Sequence, residues 1–235
     1  MWVLLLECFR GGGDIDSAAP LDTGDTANES GSYCGSFWRI DQLGTRWEYD
    51  FVPDEWMEGW NKLEVVREDT YNGAVAWVVY NEGKRDTGSA RHRWTKERWY
   101  VCDKEGIWLV YGTTTWTTRR DAGRRASDRE DYVYTDNLAE PAFLFPAAVH
   151  LGDTWESTGT IHHVDVDTGA EISTTSLEGV HEVVSEANKV VPNGTYETLV
   201  LESRLPGSAD VRTSWLVPGV GLVADDTWLL SFFWE

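Results

Sequence analysis

Side chains able to bind a metal or move a proton cluster in T-I-H-H-V-D-V-D-T-G (160–169). Strand alternation places His163, Asp165 and Asp167 on one face, opposite His162, Val164 and Val166. Imidazole and carboxylate are donors a divalent metal takes, yet neighbouring positions of one strand rarely complete a coordination shell. The expectation is a solvated strand entering a turn at Asp167-Thr168-Gly169, with no metal and no cofactor. His181-Glu182-Val183-Val184-Ser185 falls one residue short of the H-E-x-x-H zinc helix, because Ser185 stands where the second ligand belongs and the segment is β-branched. Gly219 to Ala224 fits G-x-G-x-x-A, but the 11 residues after Ala224 cannot build the strand and helix of a dinucleotide site, so a hairpin turn is expected. There is no Walker A pattern, G-x-S-x-G elbow or C-x-x-C. With 40 Asp and Glu, no spacing nominates a catalytic pair, so no catalytic residue is assigned and the chain reads as a non-enzyme.

Aromatic residues offer a different chemistry. Trp56 and Trp60 lie in P-D-E-W-M-E-G-W-N (53–61), read as a loop or single helical turn whose i,i+4 rings form an exposed platform for a sugar or an apolar partner. The 14 Trp outnumber the seven Phe and two Met, which predicts a core built largely from indoles, each needing a partner for its N–H. The stretch 119–131 gathers five Arg, nearly neutralised by four carboxylates, and reads as a mobile, solvated loop.

The elements that must carry these residues are strands. K-L-E-V-V-R-E (62–68), A-V-A-W-V-V-Y (74–80), T-Y-E-T-L-V-L-E-S (195–203) and V-R-T-S-W-L-V (211–217) are rich in β-branched and aromatic residues and bounded by Gly, Asn or Asp. Pro141 and Pro146 break the best helical candidate, 137–150, leaving an extended connector that packs Phe143 and Phe145; long helices are not expected. L-G-T-R-W (43–47) returns as L-G-D-T-W (151–155), and W-Y-V-C-D-K-E-G-I-W-L-V (99–110) is echoed by W-L-V-P-G-V-G-L-V (215–223). Markers in one order at nearly one spacing suggest two related β halves, 33–136 and 147–235, sharing one core; chance similarity in a Trp-rich chain is the competing explanation. The fold class is mainly β, a curved antiparallel sheet or half-open barrel forming a single domain over 33–235.

Residues 1–32 read differently. Three glycines from Gly11 precede a stretch rich in Asp, Thr, Ser and Ala, an acidic linker unable to bury enough to order itself. The apolar start M-W-V-L-L-L-E-C resembles a degenerate bacterial lipoprotein signal, which implies acylation at Cys8. It departs from the pattern in lacking a basic n-region, in its short apolar part and in Glu7 before the cysteine. If Cys8 carries lipid, Cys34 and Cys102 remain to pair in an oxidising compartment, a disulfide contributing about 2 to 4 kcal/mol; the other reading is two buried thiols. The formal charge of -20 excludes a general nucleic-acid binder, and the apolar run Trp2 to Leu6 is too short to span a bilayer.

V-P-N-G-T-Y-E-T-L-V-L (191–201), W-L-V-P-G-V-G-L-V (215–223) and L-G-D-T-W (151–155) resemble uncharacterised bacterial envelope domains, often lipoproteins, sometimes called TapB-like and distantly similar to Lol-type lipoprotein carriers. The resemblance covers about the last 90 residues well. It implies a curved antiparallel sheet or half-open barrel and no established activity. The expected function is a non-enzymatic domain of the bacterial cell envelope, or a secreted one, binding an apolar ligand or a protein partner and touching the membrane only through a lipid anchor. The alternatives are an extracellular carbohydrate-binding module and a hydrolase with paired carboxylates.

Overall fold

A computed structural model describes Cys34 and residues 37–52, 57–87, 90–120 and 129–234; Cys8, Trp56, residues 1–32 and the Arg-rich residues 121–128 lie outside the described residues. The period-2 patterning is realised throughout, since every regular element described is a strand. The first nine are β1 (Arg46–Phe51), β2 (Met57–Tyr71), β3 (Ala74–Thr87), β4 (Ala90–Cys102), β5 (Gly106–Arg120), β6 (Arg129–Leu138), β7 (Ala142–Pro146), β8 (Thr154–Ser157) and β9 (Thr160–Asp165). They are followed by β10 (Glu171–Ser176), β11 (Gly179–Val191), β12 (Gly194–Arg204), β13 (Val211–Val217), β14 (Gly221–Asp225) and β15 (Trp228–Trp234).

All fifteen belong to one antiparallel sheet ordered β10-β9-β6-β5-β4-β3-β2-β1-β15-β14-β13-β12-β11-β8, with β7 pairing β5 beside that path. The sheet is open and curls until β7 faces β8. Trp155 Nε1 donates to Leu144 O at 3.3 Å, Thr158 N donates to Phe143 O at 3.2 Å, and the Phe145 and Trp155 rings meet at 5.2 Å. The connector 137–150 thus holds the short strand β7 at its centre, with Phe145 buried and Phe143 against Trp108.

The internal echo extends to backbone geometry. Gly44 N donates to Val65 O at 2.9 Å and Val65 N to Thr45 O at 2.9 Å; Gly152 N donates to Val183 O at 2.9 Å and Val183 N to Asp153 O at 3.0 Å. A register shift follows Val65 in β2 and Val183 in β11. Another follows Trp99 in β4 and Trp215 in β13. The first unit is β1 to β6 and the second β8 and β11 to β15, with the β9–β10 hairpin inserted after β8. In the sheet β15, the last strand of the second unit, pairs with β1, the first strand of the first unit. The reciprocal pairing of β6 with β8 is not made, because β9 occupies the β6 edge. That inserted strand is why the sheet remains open.

One hydrophobic core spans both units. Its composition corrects the indole expectation: of the described tryptophans only Trp47, Trp94 and Trp228 are buried, and Leu, Val and Ile dominate. Other indoles are half-buried: Trp155 Nε1, beside this aliphatic centre, donates to Leu144 O, and Trp99 Nε1 donates to Asp69 Oδ2. Trp47 Nε1 donates to Val220 O at 2.6 Å and Tyr49 OH to Leu222 O at 2.9 Å, so β1 is held across the interior to the β13–β14 hairpin. Cys34 and Cys102 form a disulfide with Cα atoms 4.8 Å apart, fastening the segment of Phe37 and Trp38 to the end of β4.

Gly44 and Gly152 have φ of 85° and 87°, and a Cβ at either would meet nothing within 4 Å. Alanine there adds left-handed strain without a clash. Gly44→Ala and Gly152→Ala are therefore expected to cost about 1 kcal/mol each, equal within error in urea unfolding. A cost at one position only would show that the two turns are not equivalent.

Candidate functional site

Alternation along β4 sends Trp94, Lys96 and Arg98 inward and the exposed or half-exposed Arg93, Thr95 and Glu97 outward. Arg98 lies in register with Gly112 of β5, Gly112 with Asp136 of β6, and Asp136 with His163 of the inserted β9. Gly112 is the aperture in this row. A Cβ on it would stand 3.0 Å from Asp136 Oδ2 and 3.2 Å from Arg98 Cγ, so glycine alone lets the two charges meet across β5.

The resulting cluster is buried: Asp136 is 0% exposed, Lys96 2%, Arg98 5%, His163 5% and Thr175 7%. Asp136 Oδ2 accepts from Thr114 Oγ1 at 3.2 Å and from Arg98 Nη2 at 3.4 Å, while Oδ1 is 2.9 Å from His163 Nδ1. His163 Nε2 lies 2.7 Å from Thr175 Oγ1 on β10. Burial pushes the Asp136 carboxyl up. The His163 hydrogen bond and the charges of Arg98, His163 and Lys96 outweigh it and hold the group below its ordinary range. An ionised Asp136 only accepts, so the proton on His163 sits on Nδ1, and Nε2 either accepts from Thr175 or, once protonated, donates to it. Carboxylate, imidazole and hydroxyl stand in the order of an acyl-transfer relay.

A neutral polar row adjoins these charges. Asn81 Nδ2 donates to Asn61 Oδ1 at 2.6 Å and Trp94 Nε1 to Asn81 Oδ1 at 3.0 Å. The Trp94 and Trp116 rings stack at 5.4 Å with 12° between their planes, and Lys96 Nζ is 5.8 Å from the Trp116 centroid.

The His-Asp face at 160–169 does not converge. Asp165 Oδ1 accepts from Asp167 N at 3.1 Å and Thr168 N at 2.7 Å, fixing the turn, and His162 Nδ1 pairs outside with Glu171 Oε2 at 2.8 Å. His163 is buried rather than solvated, because β9 packs on β6 instead of lying at the surface. No group of metal-holding side chains occurs among the described residues. Trp60 lies in strand β2 rather than in a loop or helical turn, with Lys62 Nζ 5.2 Å from its ring centroid. Of the Arg-rich stretch 119–131, Arg119 and Arg120 belong to β5 and residues 129–131 to β6, rather than to a loop.

No protein-family model matches the chain, and no curated protein matches it. Among solved structures, a candidate lipoprotein from Parabacteroides distasonis aligns with 85% of this chain and 99% of its own, at 12% identity and a TM-score of 0.31. At that score nothing about the site passes from one protein to the other. The TapB-like and Lol-type resemblances rest on the sequence motifs alone.

Two further buried groups set the response to pH. Asp225 Oδ1 caps its turn, accepting from Thr227 N at 2.6 Å and Trp228 N at 2.7 Å, while Oδ2 has no partner. Burial pushes this carboxyl up to about 6 despite both bonds. Burial pushes His181 down to about 3, and its Nε2 lies 2.9 Å from Ser157 Oγ. Folded Asp225 holds a proton that the unfolded chain lacks between about pH 4 and 6, so its contribution to stability falls as pH rises through that window. His181 acts oppositely: its contribution is lost as pH falls below about 6.5. The two oppose one another between about pH 4 and 6. Asp225→Asn keeps the cap but removes one of them, so urea unfolding of the variant should weaken on acidification by about 1.4 kcal/mol per pH unit more than the parent. Identical pH slopes would exclude Asp225 as the titrating group.

Proposed function

We propose that the inner face of β4, β5, β6, β9 and β10 binds an apolar ligand through its polar end, and that the protein is a non-enzymatic binding domain of the bacterial cell envelope, anchored by lipid on Cys8. One observation carries the reading. Where a sheet face that served only as core would be apolar, this one buries Lys96, Arg98, Asp136 and His163 together. Removing such ions from water costs several kcal/mol each, and a ligand that meets Arg98 Nε, which is buried with no hydrogen-bond partner, recovers part of that cost. The Cys34–Cys102 disulfide supports export to an oxidising compartment.

The test is native mass spectrometry of the chain purified from the membrane fraction of its own cells, with a denaturing run alongside. The expected result is an apolar mass lost on denaturation and a diacylglyceryl mass retained on Cys8. An unmodified, ligand-free chain found only in the soluble fraction would defeat the reading.

A second reading, ester hydrolysis with Thr175 as nucleophile and His163 as base, is favoured by the 2.7 Å and 2.9 Å contacts of His163. Incubation with a fluorophosphonate separates the two. A phosphonylated Thr175 peptide that disappears in His163→Ala would favour hydrolysis, and an unlabelled chain would favour binding.

A further inference from the structure

Among the described residues two Trp or Phe side chains are exposed, and they are neighbours on one strand. Trp234 is 64% exposed and Phe232 40%. Phe233 between them turns inward, its ring 6.0 Å from that of Trp47, so both exposed rings stand on the outer face of β15. Large rings left in water side by side mark a surface that meets something.

Strand pairing sets their surroundings. Trp234 lies in register with Arg46 of β1 and, through it, with Glu64 of β2; Phe232 lies in register with Glu48 and, through it, with Lys62. In the next outward row Asp50 pairs with Trp60. Trp47 and Tyr49 on β1 and Asn61 and Leu63 on β2 are buried, so the alternate residues face outward with the rings. A polar column of Arg46, Glu48 and Asp50 therefore runs between Phe232 and Trp234 on one side and the half-buried Trp60 on the other. Neighbouring strands lie about 4.8 Å apart, which puts about 10 Å between the two aromatic columns. The charges answer one another: Arg46 Nη2 donates to Glu48 Oε1, and Lys62 Nζ is 4.0 Å from that oxygen and 5.2 Å from the Trp60 centroid.

This arrangement selects among occupants. A stable protein interface covers about 800 Å² per partner and clears charged groups from its centre, whereas here charged residues separate the rings. An anionic polymer is repelled by a chain of formal charge -20. The two cations Arg46 and Lys62 among the carboxylates of Glu48, Asp50 and Glu64 leave this face close to neutral, which matches a partner without net charge. A pyranose with equatorial substituents has a flat C–H face that covers an indole. Its rim of hydroxyls donates to carboxylates and accepts from guanidinium.

We infer that the outer face of β15, β1 and β2 binds a neutral, extended β-linked glucan, with sugar rings on Trp234, Phe232 and Trp60 and hydroxyls on Arg46, Glu48 and Asp50. This is a second site, on the side of the sheet opposite the inner polar cluster, and it does not rest on the reading of that cluster.

The experiment is affinity electrophoresis of the full chain in native gels containing hydroxyethyl cellulose, carboxymethyl cellulose or no polymer. The neutral polymer should retard the chain, and the anionic polymer of the same backbone should retard it less. Trp234→Ala and Trp60→Ala should each weaken the apparent affinity at least about tenfold, with circular dichroism and mobility in the polymer-free gel unchanged. Phe232→Ala replaces Trp60→Ala if that variant does not fold. A parent chain that hydroxyethyl cellulose does not retard would overturn the inference, as would retardation that survives Trp234→Ala. Equal or stronger retardation by carboxymethyl cellulose would overturn the neutral ligand. A dimer of the parent in analytical ultracentrifugation that Trp234→Ala dissociates would assign the face to a second copy of the chain and overturn the glucan. Each of these outcomes leaves the inner-face binding reading where it stood.

Discussion

A carboxylate with no exposed surface must find all its partners in the protein, and Asp136 finds them on three strands besides its own. Thr114 and Arg98 reach it from β5 and β4, His163 from β9, and Thr175 joins through the far side of the imidazole on β10. Leaving such a charge unpaired is more costly than almost any local rearrangement, so these strands have little freedom to slide. A one-residue slip of β9 would turn His163 outward and leave Asp136 facing the wrong side chain. The inserted hairpin is thereby locked onto the first unit, which keeps β8 off the β6 edge and the sheet open.

The backbone geometry common to the two units shows where novelty can reside. Both units preserve the turn at Gly44 or Gly152 and the bulge after Val65 or Val183, and these features set strand direction and curvature. The polar cluster belongs to neither unit alone. Lys96, Arg98 and Asp136 come from the first, while His163 and Thr175 come from the insertion in the second. The scaffold therefore carries the curvature, and one hairpin without a counterpart completes the chemistry.

Much of the fold was legible. The segments at 62–68, 74–80, 195–203 and 211–217 all lie in strands, because alternation of β-branched residues reports a half-buried sheet directly. The site was not legible, for a physical reason. T-K-E-R at 95–98 has the composition of a solvated strand, and only the pairing of β4 with β5 and β6 reveals that Lys96 and Arg98 point inward. The available signal was glycine. Gly83 and Gly112 interrupt strand patterns where no turn is needed, and the space each leaves is filled by Trp94 or by the Arg98–Asp136 pair. Trp60 misled because its neighbours Glu58, Gly59 and Asn61 suggest a loop, while the pairing of β2 with β3 carries the strand through them.

The disulfide also determines how this domain bears load. Tension arriving from the amino-terminal side of Cys34 passes through the bridge into Cys102 at the end of β4, a strand flanked by β3 and β5 along most of its length. An interior strand cannot be peeled away one bond at a time as an edge strand can. The pull is opposed by two ladders at once, so a domain held at its amino terminus would resist extension through its most heavily bonded region.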